Sequence, residues 1–352
     1  MRILITGATG LVGNNCVRQL LTSASDGSST ANADASATDD TSGVAGDAEH
    51  DLHVLVRQSS DERPLQGLAL QRHVVDLLDT ENVGTALPEV DAIIHSAGDT
   101  HIGRSPRPIQ HAVNVTATAA LANAAREMGA KFVFVSSVDA LPAGSPDSLV
   151  TETTSRQPKH YCGYVTTKRL AEEKVREQID LGLNAVIVNP GFMLGPWDWK
   201  PSSGRMLLEV ATKFTPFGPG GGFSGCDVRD VAAAIIVAST TETPHDQYIL
   251  AGHNIRYIDA WKIFAQVSGG SAPLCPAGPL MKVLAGRWGD LMTRVSGTEG
   301  DVNSASIGMS DLYHYYDSSL AQSELGYQIR PFEESTQSAW DWFVEHGYAR
   351  KS

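Results

Sequence analysis

Along the N-terminal half of the chain, short apolar runs alternate with longer stretches in which apolar residues recur every three or four positions. The runs at 2–6, 52–56, 73–75, 92–95, 131–135 and 185–188 are rich in β-branched and aromatic residues and predict strands. Helical spacing predicts helices over 14–21, 80–87, 114–128 and 161–180, with Gly129 closing the third. Strands of this kind separated by helices give a parallel sheet wound on both faces, so the expected fold class is α/β.

After Pro190 the texture changes, and Gly and Pro become frequent through Gly222. A helix over 228–239 and a strand over 248–250 look like a return to the first sheet, while helices over 259–267 and 332–345 build something smaller. The expected organisation is one lobe from 1–190 plus about 223–250, and a smaller C-terminal α/β lobe, suited to substrate, from about 191–222 and 251–352. Residues 22–50 break the pattern. They are rich in Ser, Ala, Asp, Thr and Gly, and from Thr22 to Asp51 there are seven acids and no Lys or Arg. That composition predicts a flexible acidic insertion at the surface.

Composition narrows the classes. The chain has 352 residues, 42% hydrophobic and 19% charged, which is ordinary for a globular protein. Its formal charge of −13 argues against a nucleic-acid or anionic-membrane partner. No apolar run approaches the ~18 residues of a membrane span. Met1 to Gly7 read as a first core strand rather than a signal peptide, so a cytoplasmic location is expected. Cys16, Cys162, Cys226 and Cys275 are scattered without a C-x-x-C pair, which predicts neither a metal site nor a disulfide framework.

Gly7-x-x-Gly10-x-x-Gly13 stands between a predicted strand and a predicted helix, the context a phosphate-binding turn needs. The helix N-terminus behind it offers free N–H groups and a partial positive charge to a pyrophosphate. Gly7, Thr9, Gly10, Leu11, Val12 and Gly13 are the candidate dinucleotide-binding residues of this turn. An acid at the tip of the second strand would accept from the ribose of NAD, whereas an arginine accommodates the extra phosphate of NADP. Here the tip reads Arg57-Gln58-Ser59-Ser60, which favours NADP over NAD, although Asp61 and Glu62 follow. Asp76 and Leu77 after the third strand, and Ser96, Ala97 and Gly98 after the fourth, fall at strand ends that face the same crevice.

Tyr164 and Lys168 are four residues apart, hence on one face of a helix. A phenol is a poor base at neutral pH, and a nearby ammonium together with the positive nicotinamide of an oxidised cofactor would lower its pKa by stabilising the phenolate. Such a tyrosine could trade a proton with a carbonyl or alcohol oxygen while the lysine orients a nicotinamide ribose. The strand before that helix ends in Ser136 and Ser137, one of which could bond the substrate oxygen; Ser137 is the first choice and Ser136 the fallback. Tyr161 lacks a lysine four residues on and could line the pocket. Asn114 could cap the long helix or join a proton relay.

These motifs resemble those of the extended short-chain dehydrogenases/reductases, a Rossmann-type family, and most of all its dihydroflavonol 4-reductase-like members and hopanoid-associated sugar epimerases. The resemblance runs nearly end to end. It includes the glycine turn, Leu55-Val56-Arg57, Tyr164 with Lys168, Val188-Asn189-Pro190-Gly191, Gly195-Pro196-x-Asp198-x-Lys200-Pro201, Asp227 to Ala232 and Leu325-Gly326-Tyr327. It implies a catalytic set of Ser137, Tyr164 and Lys168, NADP contacts at the turn and Arg57, and an approach of Pro190, Gly191 and Met193 to the nicotinamide. Two features depart from it. Val138-Asp139 stands where many members carry Ser or Thr, and the acidic insertion is not a family feature.

Two enzymatic readings follow. In one, an NADP(H)-dependent oxidoreductase reduces a small, partly hydrophobic aldehyde or ketone near His101, Met193, Trp197 and Trp199. In the other, a sugar epimerase or dehydratase retains its cofactor and uses cations such as Lys200, Arg205, Lys213, Arg256 and Lys262 for a diphosphate. Both take a small-molecule substrate, and the helices over 114–128 and 161–180 could pair across a homodimer. A cofactor-sensing protein without catalysis would need neither Tyr164 nor Lys168.

Overall fold

A computed structural model describes residues 1–26, 50–80, 82–155, 162–297, 300 and 303–350. Most of the acidic insertion (27–49) and Tyr161 lie outside the described residues. The chain opens with strand β1 (Arg2–Thr6) and helix α1 (Leu11–Asp26). Next come β2 (Asp51–Val56), β3 (Gln71–Val74), α2 (Val83–Ala86) and β4 (Ala92–His95). Helices α3 (Pro108–His111) and α4 (Ala117–Met128) are joined without a break by a π-helical turn over Ala112–Thr116. Then follow β5 (Lys131–Val135), α5 (Gly163–Asp180) and β6 (Ala185–Pro190). Beyond them lie β7 (Phe192–Leu194), α6 (Gly204–Thr212), β8 (Phe217–Gly218) and β9 (Gly222–Asp227). Helix α7 (Val228–Thr240), β10 (Gln247–Leu250), β11 (His253–Arg256) and α8 (Tyr257–Ser268) come next. The chain ends with β12 (Cys275–Pro276), α9 (Pro279–Ser296), α10 (Ser304–Ser310), β13 (Tyr313–His314), α11 (Ser319–Leu325) and α12 (Phe332–Glu345).

Seven strands form one parallel sheet in the order β10-β6-β5-β4-β1-β2-β3. Alternation along each strand splits the core between its two faces. Ile3 and Ile5 pack with Val12 and Val17 of α1 and Ile235 of α7, whereas Leu4 packs with Leu121 of α4 and Val175 of α5. Burial on both sides explains why these strands read as nearly unbroken apolar runs. Strand order reverses beside β1, whose neighbours are β2 and β4, and Thr6 stands level with His95, which stands level with Phe134. The C-terminal ends of β1, β4 and β5 therefore open onto one crevice, where ligands of such sheets bind.

The second lobe is a four-stranded sheet, with β11, β9 and β13 in order and β7 also on β9. Phe223 of β9, Phe264 of α8 and Phe332, Trp340 and Phe343 of α12 fill its core. Each such side chain, once buried, contributes about 1.5–3 kcal/mol. The chain crosses back once more than the sequence suggested, because Ala321, Leu325 and Tyr327 pack with the main sheet.

Several boundaries moved for identifiable reasons. Helix α1 begins at Leu11, immediately after the glycine turn, and runs on to Asp26. The helix expected to open at Asn114 is already formed at Pro108, so Asn114 sits within a helical stretch and does not cap one.

Candidate active site

The turn after β1 is fixed by steric limits. Gly7 has φ of +71°, and a Cβ there would lie 2.7 Å from the Ala97 nitrogen. A Cβ on Gly13 would lie 2.5 Å from the Gly7 oxygen, so α1 can approach β1 only with glycine there. The Gly10 N–H donates to the Gly7 carbonyl at 2.8 Å, and α1 then starts with its first N–H groups facing the crevice mouth. Thr9, Gly10 and Leu11 are partly exposed, while Val12 turns its side chain into the core and can offer only backbone. These residues form a cradle that side chains would fill, and the helix terminus behind it suits a pyrophosphate.

At the tip of β2, Arg57 is exposed, and its N–H donates to the Ser60 hydroxyl at 2.9 Å. The acids that follow are engaged elsewhere. Asp61 pairs with Arg63 at 2.6 Å, which holds its pKa down to about 2, and Glu62 lies 3.5 Å from Arg72. Asp76 is exposed and accepts from the Leu78 N–H at 3.0 Å, while Leu77 packs into the core. Ser96 donates to the Thr6 carbonyl at 2.7 Å, holding Ala97 and Gly98 against the turn.

Buried polar groups tie this floor together. His95 bonds Thr6 at 2.7 Å and Thr118 at 2.9 Å, and burial, with Lys168 nearby, pushes its pKa down to about 3. It is therefore a neutral strut. Asn114 donates to the Asp99 carbonyl at 2.9 Å and to the Thr167 hydroxyl at 3.0 Å, and accepts from the Asp99 N–H at 2.7 Å. The asparagine thus fastens the loop after β4 to α5, one residue before Lys168. The π turn that presents it is a distortion often found at functional sites.

Ser137, Tyr164 and Lys168 are brought to the end of β5. The Ser137 hydroxyl accepts from the Asp139 N–H at 3.1 Å, and its side chain acts to lower the pKa of the Tyr164 phenol. Lys168 is buried and donates to the Val135 carbonyl at 2.9 Å. Burial lowers its pKa to about 8, with Glu172 acting in the opposite direction. The phenol's own surroundings in the chain act on it in the other direction. Its pKa is pushed up, first by burial and then by the Asp139 carboxylate, with the Ser137 side chain opposing. A phenol surrounded by apolar groups and one carboxylate keeps its proton. Asp139, at one of the two departures from the family pattern, also lies 3.3 Å from buried His314.

Ser136 faces the other way. Its hydroxyl donates to Glu172 at 2.6 Å, and the Asn189 amide donates to the same carboxylate oxygen at 2.7 Å. Asn189 also donates to the Ser137 carbonyl at 2.9 Å and accepts from Gln247 at 2.7 Å, and Gln247 in turn accepts from Arg176. Sequence reading missed this line, although Glu172 and Arg176 continue the four-residue spacing of Tyr164 and Lys168 and so gave a usable signal. Asn189 and Gln247 gave none, because only the sheet brings β6 and β10 together.

The remaining candidates lie at several places in the fold. Pro190 ends β6, and a Cβ on Gly191 would lie 2.5 Å from the Ser224 oxygen, while Met193 packs partly against the main core. Trp197 and Trp199 belong to the second-lobe cluster with Trp342, and Trp197 stacks 3.4 Å from the Arg18 guanidinium. They anchor a loop, with Trp197 held at φ of +70°. The apolar groups clustered with Tyr164 are instead Ile102, Val165, Ala305 and Met309. His101 accepts from Gln110 at 2.8 Å through its carbonyl. Lys213 and Lys262 pair with Glu209 and Asp259 on their own helices. Among the described residues no group of three His, Cys, Asp or Glu could hold a metal, and no helix is long and apolar enough to cross a membrane.

Strand order reversing beside a glycine turn marks a Rossmann-type sheet. The second lobe, grown from segments that leave the ends of β6 and β10, makes the protein an extended short-chain dehydrogenase/reductase. It belongs to the NAD dependent epimerase/dehydratase family, whose profile matches residues 3–251. The chain is 28% identical to a Synechocystis sp. protein that carries the name dihydroflavonol 4-reductase, over 98% of this chain and 95% of that one. It is also 28% identical to sterol demethylase protein B of Methylococcus capsulatus, over 99% of both. Among solved structures, gox2253 superposes with a TM-score of 0.79 at 30% identity, covering 99% of each chain.

Proposed function

We propose that this chain is an NADP(H)-dependent oxidoreductase that reduces an aldehyde or ketone on a partly hydrophobic small molecule. The observation that carries this reading is the phenol of Tyr164, kept protonated among Ile102, Val165, Ala305 and Met309. Such a group is a proton donor at neutral pH, the role that carbonyl reduction requires. Apolar walls suit a hydrocarbon ring better than a sugar diphosphate. The names of the two relatives, a dihydroflavonol reductase and a sterol demethylase component, support the same substrate class.

The turn residues Gly7, Thr9, Gly10, Leu11, Val12 and Gly13 would hold the pyrophosphate, and Ser96, Ala97, Gly98, Pro190, Gly191 and Met193 would line the rest of the dinucleotide. Arg57 would take the 2′-phosphate, since Asp61 and Glu62 already answer to Arg63 and Arg72. Asp76 has one carboxylate oxygen on its own turn, and the other could accept from adenine. When bound, the nicotinamide supplies the hydride. Tyr164 gives its hydroxyl proton to the oxygen as that atom gains charge, and Ser137 donates a hydrogen bond to the same oxygen. The phenolate left behind is stabilised by Lys168, which at pH 7 is mostly ammonium because its pKa is about 8. Water then restores the phenol proton.

The test is a panel of aliphatic and alicyclic ketones with NADPH. Nicotinamide oxidation matched one-for-one by alcohol formed supports the reading. Protein that purifies with cofactor in place and interconverts sugar nucleotides without consuming it would replace the reading with an epimerase.

A further inference from the structure

Among the described residues, seventeen large apolar side chains are exposed, and eight of them sit on the 18-residue helix α9. Scattered exposure is ordinary, whereas a contiguous patch marks a contact surface. The helix is locally well specified, with Pro279 in its first turn and Gly297 at φ of +72° closing it. Gly286 is its buried point, where a Cβ would lie 3.2 Å from Ser304 of α10. At about 100° per residue, Leu280, Leu284, Trp288, Leu291 and Val295 fall on the opposite side. They are 73%, 60%, 65%, 50% and 75% exposed. In the segment before the helix, Leu274 is exposed too, and its N–H donates to Pro216 at 2.9 Å, beside exposed Phe217.

We infer that α9 is a docking helix that lies in the surface of an anionic lipid bilayer. Charge selects this occupant. Lys282 is paired with Asp311 at 2.6 Å, so the exposed cations of α9 are Arg287 and Arg294, against one acid, Asp290, in a chain whose sum is −13. Asp290 faces inward, 3.6 Å from Arg104 and bonded to the Ser304 N–H at 3.1 Å. Arg287 and Arg294 are exposed along one margin of the apolar strip, where lipid phosphates would meet them. The whole-chain charge predicted no attraction to such a membrane, but that sum conceals the sign of this face. An amphipathic helix with tryptophan and leucine on one side and arginine beside them lies in the interface without crossing it.

The position has a consequence for the site. Helix α10 packs its Ser304 against Gly286 of α9, and its Ala305 and Met309 cluster with Tyr164 and Val165. Docking would hold the candidate active site about one helix diameter, roughly 10 Å, from the lipid. The docking itself does not depend on the reductase reading, since it rests on α9 alone.

The full chain should float with vesicles of phosphatidylcholine containing a minority of phosphatidylglycerol, and much less with phosphatidylcholine alone. Trp288 emission should shift to the blue on binding, and Trp288→Phe should remove that shift. Leu284→Glu with Val295→Glu should abolish flotation while the melting temperature and its rise with NADPH stay unchanged, because both positions are exposed. Arg287→Glu with Arg294→Glu, both at exposed positions, should weaken binding to the anionic vesicles at least tenfold. Absence of flotation by the full chain overturns the inference. So does a dimer in light scattering that the Leu284→Glu, Val295→Glu variant splits into monomers, because the face would then belong to a second copy.

Discussion

Helices α5 and α9 have the same length, 18 residues each, and dispose of their polarity in opposite ways. Helix α5 turns Lys168 and Glu172 inward, where they are 5% and 0% exposed. Helix α9 turns leucines, a tryptophan and a valine outward. On α5 the buried ionisable groups meet partners: Lys168 bonds Val135, and Glu172 bonds Ser136 and Asn189. A buried charge is tolerable only under that condition. On α9 the arrangement is reversed, and apolar surface in water awaits something that covers it. One helix carries its interaction partners within the fold, and the other needs them from outside.

This contrast can be broken at either helix. Glu172→Ala would leave the Ser136 hydroxyl and Asn189 amide without their shared acceptor and deprive Lys168 of its nearest carboxylate. A loss of about 3–5 kcal/mol is expected, measured by denaturant unfolding, with Glu172→Gln milder because its oxygen still accepts. Lys168 gives a test by pH. Its folded pKa is about 8 against an ordinary 10.5, so in that window the unfolded chain holds a proton that the folded chain has released. Stability from this group therefore rises with pH from 8 toward 10, by up to about 3 kcal/mol. Lys168→Met should lack that rise when the two proteins are unfolded across the same pH series. Arg57→Ala should weaken NADP(H) about tenfold and leave NAD(H) unchanged, a loss of about 1.4 kcal/mol that titration calorimetry can resolve. At the small end, Leu284→Ala on α9 should change stability by no more than about 0.5 kcal/mol in the absence of lipid. A larger loss would mean that α9 is covered within the fold, and the contrast would fail.

Sequence alone made the main sheet legible for a physical reason. Strands buried on both faces are apolar almost throughout, and Gly7 and Gly13 mark positions that no other residue can occupy. Tyr164 and Lys168 were visible because helical spacing puts them on one face. The next turn of the same face, Glu172, was equally visible by spacing and went unread, since a glutamate on a helix ordinarily points to water. Its partners Asn189 and Gln247 could not be foreseen, because their meeting depends on strand order. The raised pKa of the phenol was hidden as well, for burial and then Asp139 act through the folded surroundings and not through a motif. Trp197 and Trp199 stayed ambiguous, since tryptophans beside Pro and Gly suggest a pocket equally well as an anchor. Helix α9 escaped altogether: Gly286 and Gly289 weaken its helical signal, and no periodicity states whether an apolar face is covered.

The reading turns on a single hydroxyl group, that of Tyr164. With NADPH and a ketone substrate in excess, Tyr164→Phe is expected to slow nicotinamide oxidation by about a hundredfold to ten-thousandfold, while the rise in melting temperature on adding NADPH stays as in the parent. A phenylalanine variant that reduces the ketone as fast as the parent would contradict the assignment of that proton to Tyr164.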